Sequence, residues 1–87
     1  MLKGKTKSGF TYQISEKRLE NYELVEALNA IETNPLEVIK VVNLLLGVDQ
    51  AKKLKEHLRD KDGLVSTEKM TNEIQEIFET QATLKNS

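Results

Sequence analysis

Eighty-seven residues, 38% hydrophobic and only 5% aromatic, make one domain whose core must be built mainly from Leu, Ile and Val. A net charge of −1 and the lack of cysteine leave no global attraction to nucleic acid or anionic lipid, and exclude a disulfide scaffold or a cysteine-based zinc site. No run reaches membrane-spanning length, and Met1-Leu2-Lys3-Gly4-Lys5 lacks the apolar core of a signal peptide, so a cytoplasmic protein is expected.

Phe10, Tyr12 and Ile14 alternate with Thr11 and Gln13, the period of a strand with one buried face. Leu2, Gly4 and Thr6 supply the pairing strand, and Lys7-Ser8-Gly9 the turn of a β-hairpin over about 2–14. A lone hairpin is marginal in water, so it must pack on a helix or pair with another copy. Phe10, Tyr12 and Ile14 are the candidate self-association residues. In a homo-oligomer, Lys3, Lys5 and Lys7 would face Glu20, Glu23 and Glu26 of a neighbour.

Ser15 caps a helix over 16–32, with Leu19, Tyr22, Val25, Leu28 and Ile31 as its inner face and Leu24 and Ala27 at the margins. Thr33-Asn34-Pro35 stops it. A second helix follows over 35–46, with Asn34 at the cap, Pro35 in the first turn and Gly47 at the exit. Its polar residues, Glu37, Lys40 and Asn43, form one narrow stripe, so this helix is expected to be the most buried, with Ile39 and Val42 in the core. Leu44, Leu45 and Leu46 exceed what so small a core needs, and are the candidate partner-binding residues.

A third helix, capped by Asp49, runs over 49–59 with Ala51, Leu54 and Leu58 inward. Asp60-Lys61-Asp62-Gly63 is a turn by composition, and Leu64-Val65 a short extended piece. Ser66 or Thr67 caps a fourth helix over 67–81, whose inner stripe is Met70, Ile74, Ile77 and Phe78, opposite Glu68, Glu73, Glu76 and Glu79. The single domain then spans 1–82, with 83–87 a frayed tail. The fold class is mainly α: an N-terminal β-hairpin followed by about four helices.

Catalysis has little to work with. His57 is the one histidine, on a basic helix face, and there is no glycine-rich phosphate loop. Asp60, Asp62 and Gly63 match part of a calcium loop, but Leu58 and Lys69 occupy its first and twelfth positions. No enzyme activity, cofactor or metal is expected. Gly47 between two helices suggests a helix-turn-helix, yet Lys53 stands where an apolar residue should be buried, and Asn43 where a small one is favoured. A small DNA-binding regulator of phage or bacterial origin is therefore the alternative reading.

Several stretches together resemble the small tail assembly chaperones of long-tailed phages and prophages of Gram-positive bacteria. They are Lys5-Thr6-Lys7-Ser8-Gly9-Phe10, Tyr22-Glu23-Leu24-Val25-Glu26-Ala27-Leu28, Leu45-Leu46-Gly47 with Gln50, Leu54 to Val65, and Met70 with Glu73-Ile74 and Glu76-Ile77-Phe78. The resemblance covers roughly residues 5 to 80. It implies a non-enzymatic protein of the host cytosol, absent from the mature virion, that coats the long helical tape measure protein until tail-tube subunits displace it. It also implies a longer form, made by a −1 ribosomal frameshift, that contacts the tail tube. Leu84-Lys85-Asn86 can be encoded by a slippery A-AAA-AAY heptamer.

Overall fold

The computed structural model describes residues 1–86, the side chains of Lys85 and Asn86 excepted. Strands β1 (Leu2–Lys5) and β2 (Thr11–Ile14) form the expected antiparallel hairpin, in a register that pairs Leu2 with Ile14 and Gly4 with Tyr12. Gly9 takes the positive φ of 95° that the turn needs. Helices α1 (Glu16–Leu19), α2 (Tyr22–Ala30), α3 (Val38–Leu58) and α4 (Thr67–Asn86) follow, with a 3₁₀ turn at Pro35–Glu37 before α3. The chain is thus mainly helical, as its periodicities require.

Two boundaries differ from the sequence reading, each for a local reason. The span 16–32 is not one helix, because Asn21 leaves helical geometry (ψ 118°) and its side chain caps α2 through the Glu23 N–H at 3.0 Å. The restart shifts the helical phase, so Leu24, Ala27 and Ile31 are buried, while Tyr22 and Val25 face outward. At the other end, α4 continues through Asn86 instead of fraying from 83; Ser87 lies outside the described residues.

Gly47 interrupts α3 with φ 82° and ψ 161°, a region open essentially to glycine alone. The halves on either side correspond to the second and third helices read from the sequence. The first half ends on a positive charge: the Arg18 guanidinium donates to the Leu44 carbonyl at 3.1 Å and to Asn43 at 3.4 Å. A cation there opposes the negative end of the helix dipole.

Val38, Val41, Val42, Leu45 and Leu46 are buried along the first half of α3, spaced as one helical face. They meet Ile14 of β2, Leu24 and Ala27 of α2, Leu54 of the second half, and Ile74 and Ile77 of α4 in a single core. Ile39 is a correction: it lies outside this face and is 65% exposed.

The hairpin is fastened to the helices by polar contacts as well as apolar ones. Glu73, only 6% exposed, accepts from the hydroxyls of Thr6 and Ser8 at 2.8 Å each. Glu76 accepts from the Lys7 N–H at 2.9 Å. His57 Nε2 lies 3.1 Å from the Ser8 carbonyl, and because a carbonyl only accepts, that contact requires the proton on Nε2. Gln81 donates to the Tyr12 hydroxyl at 2.9 Å. A Cβ at Gly4 would collide with that hydroxyl, so β1 crosses the tyrosine at a glycine. Gln50 accepts from the Gln13 N–H at 2.8 Å and donates back to the Gln13 carbonyl.

After α3, Asp60 closes the turn by accepting from the N–H groups of Asp62 and Leu64 at 2.9 and 3.0 Å. Arg59 bridges Glu56 at 2.8 Å and the Gly63 carbonyl at 2.7 Å. Hydrogen bonding and charge from Arg59 hold the exposed Glu56 carboxyl below the ordinary carboxylate range. Ser66 caps α4 through the Lys69 N–H at 3.2 Å.

Leu45→Ala should lower unfolding stability by about 2–5 kcal/mol and Gly47→Ala by about 1–3 kcal/mol, whereas Ile39→Ala should stay within about 0.5 kcal/mol of the parent; urea midpoints rank the three. Glu73→Ala, which takes an acceptor from the buried Thr6 hydroxyl and from that of the exposed Ser8, should cost roughly 1–3 kcal/mol. In that variant, hydrogen exchange should quicken in residues 2–14 before it does in the first half of α3.

Candidate partner-binding groove

The bend at Gly47 sets the two halves of α3 around a groove of roughly 440 Å³. Val38, Ile39, Val42 and Asn43 come from the first half, Val48, Ala51, Lys52 and Lys55 from the second, and Met70 from α4. Val38, Val42 and Met70 form a floor whose outer atoms close the core. Ile39 and Val48 rise from it, 65% and 60% exposed.

Local sequence explains this placement. On the first half of α3, positions 38, 41, 42, 45 and 46 point inward, which leaves 39 and 43 on the outer side. Gly47 then changes the chain direction, so Val48 falls on the same side as Ile39 and Ala51 sits one turn beyond it. Exposed large apolar residues sharing one concavity mark a contact surface more than a folding requirement. Lys52 and Lys55, one helical turn apart, bring the only formal charges to the lining. Among the described residues, neither is ion-paired.

The residues singled out from the sequence lie elsewhere. Leu45 and Leu46 are buried, and Leu44 is half-buried against the core. The three leucines therefore do not present a contact face; the helical phase turns two of them fully inward. Phe10, Tyr12 and Ile14 are likewise buried, covered by the chain's own helices. Their apolar faces offer nothing to a second copy in this fold. Apolar character alone places Ile39 in the core, and Val48 follows the glycine at which the helical phase is reset, so neither exposure shows in the local pattern.

Other surface concavities are more polar. One beside the hairpin is lined by Lys3, Thr11, Gln13, Gln50, Glu56 and His57, among others. His57 is exposed, and its ring lies 5.6 Å from that of Phe10. Its Nε2 is engaged with Ser8, which gives the histidine a structural task. Among the described residues, no cluster of three or more His, Cys, Asp or Glu side chains is placed to hold a metal, and no helix is long and apolar enough to cross a membrane.

Comparison with protein-family models, curated proteins and solved structures finds no match for this chain.

Ile39→Ser and Val48→Ser, alone or together, should leave the urea midpoint nearly unchanged, since both side chains are already exposed to solvent. The pair should nonetheless weaken binding of a fluorescent apolar dye to the folded protein. A fall in midpoint comparable to that of Leu45→Ala would assign both residues to the core instead.

Proposed function

We propose that this protein is a non-enzymatic assembly chaperone that holds an apolar stripe of a helical client in the groove at the α3 bend. The client is the tape measure protein of a long-tailed phage, bound during tail assembly in the bacterial cytosol. The carrying observation is the pair Ile39 and Val48, exposed above a floor of Val38, Val42, Ala51 and Met70. A groove of aliphatic side chains suits helix-in-groove recognition, where apolar anchors one turn apart supply the affinity. It imposes no fixed polar code, as coating a long client at many sites requires.

The sequence resemblance across roughly residues 5 to 80 names the client class, and the groove supplies a physical means of holding it. Several copies would mask the apolar stripes of one tape measure chain until tube subunits replace them. A longer form, read through a −1 shift near Leu84-Lys85-Asn86, would bring the same groove together with a region contacting the tail tube.

Labelled helical peptides of about 20 residues, long enough to span ~30 Å, tiled along a tape measure protein, test this reading by fluorescence anisotropy. A subset with an apolar stripe should bind. Burial of an aliphatic side chain is worth roughly 1.5–3 kcal/mol, so Ile39→Asp with Val48→Asp should weaken binding by at least about tenfold. Failure of every tape measure peptide to bind the folded chain would remove the proposal.

A further inference from the structure

Helix α2 buries Leu24 and Ala27 in the chain's own core, and turns a second face to solvent. On that face Tyr22 is 74% and Val25 45% exposed, and the neighbouring Glu23 and Glu26 are exposed as well. The four residues form two pairs at i, i+3 spacing, one apolar and one acidic. Among the described residues, neither carboxylate is ion-paired.

The groove carries the reciprocal pattern. Ile39 and Val48 stand exposed over an apolar floor, and Lys52 and Lys55 line it at the same i, i+3 spacing. A helix with an apolar pair beside an acidic pair is what such a groove fits, and this chain presents one on its own surface. We infer that, without a client, the groove of one copy is filled by α2 of a second copy, with Tyr22 and Val25 against Ile39 and Val48, and Glu23 and Glu26 facing Lys52 and Lys55.

Exposed ion pairs alone add little affinity. Burial of the apolar pair supplies the attraction, and the charges fix orientation and partner choice. Because α2 already packs its other face at home, docking requires no unfolding. The two patches are different surfaces, so the contact is heterologous: each copy offers one groove and one α2, and the arrangement closes into a ring or extends as a chain. This inference rests on the groove reading above and adds its regulation. A client helix and α2 of another copy compete for one site, which keeps the apolar groove covered until a client arrives.

Sedimentation velocity of the full chain, from micromolar to tens of micromolar, tests the contact. The parent should sediment faster as concentration rises. Tyr22→Asp with Val25→Asp should be monomeric, as should Ile39→Asp with Val48→Asp, each with the parent's circular dichroism. An equimolar mixture of the two double variants should form heterodimers and nothing larger, because only one intact groove and one intact α2 face remain per pair. Should an aspartate variant misfold, the corresponding serine pair replaces it. Lys52→Glu with Lys55→Glu should weaken assembly, and adding Glu23→Lys with Glu26→Lys should restore it. A parent that stays monomeric throughout, a double variant that assembles like the parent, or a mixture that stays monomeric would overturn the inference. The tape measure peptides separate this from the client reading. If the Tyr22→Asp, Val25→Asp protein binds them at least as tightly as the parent, both stand. If no peptide binds while the assembly pattern holds, only the client reading falls.

Discussion

The break in α3 at Gly47 is the constraint on which the rest depends. Its φ of 82° and ψ of 161° suit a residue with no Cβ. An added Cβ would also approach the Arg18 guanidinium to 3.1 Å. That guanidinium is already committed to the carbonyls of Asn43 and Leu44. Glycine and arginine thus act together: one lets the helix turn, the other satisfies the carbonyls the turn leaves without helical partners. A straight helix through this region would present one continuous inner face. The bent one brings Val38 and Val42 beside Val48 and Ala51, and in doing so makes both a wall of the core and a groove.

The hairpin depends on this arrangement in turn. Two strands of four residues each do not hold themselves together in water. Their stability comes from burying Phe10, Tyr12 and Ile14 among the helices, and from polar ties made by residues far along the chain. Glu73, Glu76 and Gln81 project from α4, and Gln50 and His57 from the second half of α3. Each such tie contributes modestly when made, and its loss is costly where, as at Thr6–Glu73 and Tyr12–Gln81, the bond is buried. They also set the register in which the hairpin lies on the helices, which apolar contact alone would specify less sharply.

A chain this short needs most of its large apolar side chains for its core, which gives the exposed aliphatic residues their meaning. Ile39 and Val48 contribute little to folding where they stand, yet occupy one concavity. Tyr22 and Val25 are left outside on α2. Under the proposed function, a groove and a matching helix face on the same small molecule would link holding a client to self-association, since both would draw on the same apolar groove. The lysine and glutamate pairs beside these surfaces would choose orientation without adding much affinity.

Much of the architecture was legible in local sequence, because its causes are local. Period-two alternation marks β2, Gly9 and Gly63 mark turns that need positive φ, and Ser15, Asn34 and Ser66 cap helices through their own side chains. Gly47 announced the end of a helix for the same reason. The break at Asn21 was hidden, since asparagine is tolerated both inside a helix and at its cap, and Tyr22, Val25 and Leu28 continue an acceptable stripe across it. Glu73 reads as solvent-facing because nothing nearby in sequence shows that Thr6 and Ser8 will lie against it. The groove was beyond reach for the same physical reason: apolar character shows that Ile39 and Val48 prefer to be covered, but only the direction of the chain after Gly47 decides what remains to cover them.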